Sequence, residues 1–188
     1  MKFPFLLALA LGAGLLSSGC ATTSTPRPVS LDIPGERRIG ASDRLDIALA
    51  PGADQRVDSI LAYGRPYGPG VLTGPIWTSV FRGDEGSAAQ LEIIAGELRN
   101  SIAGLGFTMR WTYTVHAVLH IGPAGQQNRH ILHATGSRAA ALATASAMRQ
   151  AVELGVLDLA RQARDCLAAG PRSPAPPAAP AWARTFKR

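Results

Sequence analysis

The sequence predicts an α+β domain, a two-layer sandwich in which a small mixed or antiparallel sheet carries two helices on one face. Three observations predict it. Phe107 to Ile121 reads F-T-M-R-W-T-Y-T-V-H-A-V-L-H-I, and from Met109 onward every odd position is apolar while every even one except Val118 is polar. Such alternation marks a strand with one buried and one wetter face. Two further stretches, Asp84 to Gly106 and Ser137 to about Ala168, repeat apolar residues at spacings of three and four, the period of an amphipathic helix. Their order along the chain brackets the long strand with helices that can cover one side of it.

The 188 residues suit one domain with tails, long enough to bury a core without disulfides or metal. The formal charge of +6 is unevenly placed. Lys2, Arg172, Arg184, Lys187 and Arg188 lie in the two ends, and setting those five aside from the 19 leaves 14 basic against 13 acidic residues. The body is near neutral and carries no basic stripe, so no nucleic-acid partner is expected.

Residues 1–19 have the layout of a secretory leader: Lys2, an apolar run from Phe3 to Leu16, then small residues. That run is too short to span a bilayer as a helix. Residues 20–42, rich in Thr, Ser, Pro and Gly, read as a flexible tether that would average roughly 25 Å end to end. An arm ordered along the domain is the competing reading. The globular part is expected over 43–170.

Within it, Arg44 to Ala50 alternates, with Leu45, Ile47 and Leu49 on one face, and Pro51-Gly52 ends it as a turn pair. Val57 to Tyr63 is apolar, and its type is left open by the pattern. Gly64 to Pro75 packs Gly and Pro around Tyr67 as a long irregular loop, a type of segment that often carries contacts. Ile76 to Phe81 reads as a strand with Trp77 and Phe81 on one side. Ser87 to Gln90 fits a capping box for the first helix, whose stripe is Leu91, Ile94, Leu98, Ile102 and Leu105. Gly104 and Gly106 suit its C-terminal cap.

At roughly 3.3 Å per residue the long strand would span about 50 Å, so a bend or bulge is expected within it. Gly122 to Asn128 forms a turn, and Arg129 to Thr135 returns as the antiparallel partner. The second helix has the stripe Ala141, Ala145, Met148, Val152, Val156, Leu159, Ala163 and Cys166. Arg149 with Glu153 and Arg161 with Asp165 are expected on its outer face at i,i+4. Gly155 marks a kink or a close contact. Residues 171–188, P-R-S-P-A-P-P-A-A-P ending in A-W-A-R-T-F-K-R, read as a Pro/Ala-rich disordered tail. Its Trp182 and Phe186, among basic residues, could touch a lipid surface or a partner.

Chemistry-bearing patterns are few. Cys166 falls on an apolar stripe, where a free thiol acts as a small hydrophobe. His116 and His120 share the polar face of the long strand, but four strand residues separate their Cα atoms by about 13 Å, too far to ligate one ion. His120 facing His130 across the hairpin would still lack a third donor, and His133 falls on the opposite face to His130. No metal or cofactor is therefore assigned. The chain contains no G-x-S-x-G, H-E-x-x-H or phosphate-binding glycine loop. Asp84 and Glu85 are explained by a position before a helix start.

Ser17-Ser18-Gly19-Cys20 resembles the lipobox of bacterial lipoproteins, with Ser17 where Leu is commoner. That resemblance implies cleavage before Cys20, acyl chains on its sulfur and amino group, and attachment to a membrane. Ala21 stands where an Asp resembles an inner-membrane retention signal in enteric-type lipoproteins, which implies the periplasmic face of the outer membrane. The order over about residues 76–168 looks like that of small accessory lipoproteins, among them the lipopolysaccharide-transport accessory lipoprotein, whose family pairs a β-α-β-β-α core with a lipidated cysteine. It matches no further motif, so no functional residue is carried over.

These readings converge on a non-enzymatic envelope lipoprotein that serves as an accessory or scaffold in an outer-membrane assembly or transport system. Cys20 would carry the lipid, and Tyr67, His116, His120, Trp182 and Phe186 would meet an envelope protein partner. Two other classes compete: a periplasmic hydrolase using histidine, which needs a cleft joining His to Asp or Glu, and a carrier of an apolar ligand, which needs a cavity between helices and sheet.

Overall fold

The structure, a computed structural model, describes residues 27–32, 38–103, 108–123, 126–141 and 144–169. Three long antiparallel strands form its frame: β7 (Ala89–Ala103), β8 (Thr108–Ile121) and β9 (Asn128–Ala140), with β8 in the middle. On the far side of β7 two shorter strands share the edge. β2 (Leu45–Leu49) runs parallel to its start and β3 (Val57–Ala62) parallel to its end. Helices α1 (Gly74–Val80) and α2 (Ala145–Ala169) meet over one face of the sheet. The α+β sandwich with a mixed sheet is as expected, although its first helix is a different stretch of chain.

Residues 89–103 form a strand, not the predicted helix. The predicted stripe splits: Leu91 and Leu98 are fully buried, while Ile94 and Ile102 are exposed. A β-bulge at Ile94 causes this, because Ile93 pairs with Ala117 and Ala95 with His116. One extra residue flips the alternation, so Ala89 and Leu91 point inward before it and Leu98 and Asn100 after it. Inward residues seven apart imitate two helical turns. Local propensity for helix yields to the need of β8 for a second neighbour, since backbone N–H and C=O groups left unpaired in a core are costly. The bulge lies on β7, not within β8, whose register with β9 runs unbroken.

The reverse exchange occurs at Gly74–Val80, which is helical and not a strand. Trp77 and Phe81, four apart, stack with ring centroids 5.9 Å apart, a spacing that serves helix and strand alike. Pro75 sits in the first turn, where its missing N–H costs nothing. Phe81–Gly83 then continues as β6, parallel to β2. Ser87 caps no helix. Its hydroxyl accepts from the Asp84 N–H at 3.0 Å and meets Asp46 Oδ1 at 2.7 Å in a turn.

The segment Gly64–Pro75 is a return to β3 rather than an irregular loop. Tyr63 and Gly64, with φ of 52° and 75°, turn the chain into β4 (Arg65–Pro66), and β5 (Val71–Leu72) pairs with the start of β3. β5 also receives β1 (Val29–Ser30) in parallel, and Leu31 is buried in the core. Residues 27–32 of the expected tether are thus an arm ordered along the domain.

Helix α2 starts at Ala145, because Ser137 to Ala140 remain in β9, and Ala141 falls outside it. From Met148 to Ala163 the stripe is buried as predicted. The Ala-rich face permits close approach, and Gly155 marks the contact. A Cβ on Gly136 of β9 would stand 2.1 Å from the Gly155 nitrogen, and one on Gly155 would stand 2.8 Å from the Tyr113 ring. Arg161 pairs with Asp158 at 3.4 Å instead of Asp165.

Candidate functional site

Even-numbered residues of β8 form the middle of the outer sheet face, the side away from the helices. There His116 stands directly opposite His133 of β9, with Nδ1 to Nδ1 at 3.2 Å and ring centroids 4.4 Å apart. The carbonyl of His133 is turned to the sheet edge, where Gln162 Nε2 donates to it at 2.8 Å. The two histidines are therefore a non-hydrogen-bonded pair of the ladder, the kind whose side chains stand closest. Thr114 faces Thr135 one rung away, and Val118 faces Ile131 on the other side. Ile131 is 85% exposed.

His120 lies opposite Arg129, not His130, and its Nε2 is 3.4 Å from Glu92 Oε2. His130 sits opposite Leu119 on the inner side, so His130 and His133 do occupy opposite faces. The expected His120–His130 contact is out of register by one residue, enough to turn a side chain through the sheet. The two alternatives for β9 are hard to separate from its sequence, because Ile131 and Leu132 are both apolar.

The inner face holds a polar cluster that sequence reasoning missed. Asp58, 2% exposed, accepts from the Tyr113 hydroxyl at 2.6 Å and from Thr73 Oγ1 at 2.8 Å, both at Oδ2. Arg56 Nε approaches its Oδ1 at 2.7 Å and Arg56 Nη1 donates to the bulge carbonyl of Ile93 at 2.9 Å. Gly96 of β7 leaves the room, since a Cβ there would stand 2.5 Å from the carboxyl. The Tyr113 pKa is raised well above its usual value, first by burial and then by the charge and hydrogen bond of Asp58, with Arg56 and Trp77 opposing. This cluster ties β3, β8 and the start of α1 where the sheet changes from β2 to β3. The available signal was Arg56-x-Asp58 in an otherwise apolar segment.

A second buried pair, Arg149–Glu153 at 2.8 Å, faces inward, contrary to its expected outer placement. Glu153 Oε2 accepts from the Arg38 N–H, and Arg149 donates to the Leu31 carbonyl at 3.0 Å, so the pair clamps the N-terminal arm to α2. Beside it is a cavity of about 330 Å³ with apolar walls from Leu31, Ile39, Leu72 and Ile76 and with Arg44 and Arg82 at its side. Another hollow, of about 990 Å³, lies between Leu49, the Asp84–Ser87 turn and Gly122. Neither is lined by histidine, so the cleft joining His to a carboxylate that a hydrolase needs is not formed at these two places.

Tyr67 is 59% exposed just after β4, with its N–H on the Ile60 carbonyl at 2.8 Å. Cys166 is half-buried against the core. Cys20, Trp182, Phe186, Gly104, Leu105 and Gly106 lie outside the described residues. Among the described residues no group of three His, Cys, Asp or Glu side chains is placed to hold an ion, and no helix is long and apolar enough to cross a membrane.

The class these features define is an α+β two-layer domain with one packed and one open sheet face. No protein-family model matches the chain, and no curated protein matches it significantly. Among solved structures, one similar chain is a "putative lipoprotein" from Caulobacter crescentus, with a TM-score of 0.37 and 14% identity over 63% of this chain and 90% of that one. A likeness so slight carries no functional argument.

Proposed function

We propose that this chain is an envelope lipoprotein, anchored through acyl groups on Cys20 to the periplasmic face of the outer membrane, that works by contact with an envelope protein partner in an assembly or transport system. The observation that carries it is the leader ending in Ser17-Ser18-Gly19-Cys20. Two or more acyl chains hold a protein stably on a bilayer, at about 0.8 kcal/mol per buried methylene. The docked arm sharpens the reading. Val29 is already part of the sheet, so eight residues, 21–28, separate the anchor from the domain. Fully extended they reach at most about 29 Å, which keeps the domain close to the membrane surface. The open sheet face with Ile131, and Tyr67 beside β4, are the contact surfaces of this reading; Trp182 and Phe186 of the tail would add to them.

The test is intact-mass analysis of the mature protein with fractionation of cells making wild type or Cys20→Ser. Acylated Cys20 as first residue, and release of the variant into the periplasm with loss of partner crosslinks, are the expected results. An unmodified cysteine, a different first residue, or undiminished function of the released variant overturns the reading.

One observation favours a second reading. The smaller cavity combines apolar walls with Arg44, Arg82 and Arg149 as well as Asp32 and Glu153, which suits a small amphiphile with a polar head. A carrier of that kind would release a stoichiometric amphiphile when the purified protein is extracted with organic solvent, and an empty extract counts against it.

A further inference from the structure

We propose that His116 and His133 form a surface site for one divalent transition-metal ion, bound through the two Nδ1 atoms. Metal–nitrogen bonds of about 2.0–2.1 Å place two neighbouring ligand nitrogens about 2.9–3.4 Å apart, for angles between 90° and tetrahedral. The two Nδ1 atoms are 3.2 Å apart, on adjacent strands whose register holds them there before any ion arrives. Both residues are exposed, so an ion reaches them from solvent and water fills its remaining positions.

Without metal, one ring donates its Nδ1–H to the lone pair of the other. An ion shifts that proton: the donor ring gives its Nδ1 proton to solvent and takes one back on Nε2, so the tautomer changes with no net release of protons, and both Nδ1 lone pairs become available to the ion. Imidazole suits copper, nickel and zinc, with copper bound most tightly. Two nitrogens on a fixed ladder act as a chelate, so losing either one costs more than half of the binding. His120 does not belong to the site, since it lies on another rung with Glu92.

The probes are Cu²⁺ and Ni²⁺, titrated into the detergent-solubilised mature protein with Cys166→Ser throughout to remove the free thiol. Circular dichroism verifies that each variant keeps its fold. We expect one site per chain, a Cu²⁺ paramagnetic spectrum with coupling to two nitrogens, and a melting temperature that rises with added metal. His116→Asn and His133→Asn should each weaken binding by about 100-fold, the double variant little further, and His120→Asn should change nothing. Retained affinity and an unchanged spectrum in either single variant, or equal damage from His120→Asn, would overturn the proposal. A merely structural role for the pair would move the melting temperature without metal and leave no two-nitrogen signature.

Discussion

Alternate residues of β8 meet opposite surroundings, and the comparison separates what holds this fold from what it offers to solvent. On the inner side Trp111, Tyr113, Val115, Ala117 and Leu119 are buried in the core beneath α2. Of the two polar groups on those side chains, the Tyr113 hydroxyl is committed to Asp58, while the buried Trp111 Nε1 has no hydrogen-bond partner. On the outer side Thr114, His116 and His120 stay in contact with water, and their partners are other side chains of the same face. A buried polar group is costly unless satisfied, so the inner cluster has little freedom to do anything but hold three elements together. The outer groups keep hydrogen-bonding capacity open to solvent, which is why the proposed metal site and partner contacts are sought there.

The sharpest way to break this contrast is Asp58→Ala. It leaves the Arg56 guanidinium and the Tyr113 and Thr73 hydroxyls without their shared acceptor, and removing one partner of a buried ion pair costs about 3–5 kcal/mol. Urea unfolding should show that loss, and a change below about 1 kcal/mol would mean the cluster is not structural. Tyr113→Phe comes next, at about 1.5–3 kcal/mol near pH 8, the usual worth of a hydrogen bond to a charged group.

The Tyr113 case has a pH signature. Its folded-state pKa is raised above 10.0, so the stability held in the protonated phenol is complete below about pH 10 and is lost as pH climbs toward the folded value. The gap between wild type and Tyr113→Phe should therefore stay constant up to about pH 10 and narrow as pH rises beyond it. A gap that stays constant in melting curves above pH 10 would refute the raised pKa of the buried phenol. The smallest effect belongs to the outer face: Ile131→Thr, at a position 85% exposed, should shift stability by less than about 0.5 kcal/mol. A larger cost would show that this face is covered in the folded protein.

Legibility from sequence followed the local signals. β8 and the buried half of α2 were readable because an unbroken period of two or of 3.6 leaves little choice of face. Gly155 stands out in an Ala-rich stripe as a kink or a close contact, and the packing against Gly136 and Tyr113 makes it the second. The stretch 89–103 failed because a bulge at Ile94 gave two inward Leu residues a helical separation. Trp77 and Phe81 failed because a spacing of four fits both periods. Arg149–Glu153 was recognised as a pair but placed on the wrong side, since i,i+4 spacing says nothing of what packs on it.

By itself, then, the chain's pattern of apolar and polar residues determined the layered class, the central strand and the long closing helix, all of which are encoded over a few neighbouring residues. Tertiary structure alone decided the register of β8 against β9, hence the meeting of His116 with His133, and the path that carries Asp58 beneath Tyr113. Those contacts join residues 17 and 55 positions apart. They depend on where turns close and bulges fall, and a shift of one residue would have sent each side chain to the other side of the sheet.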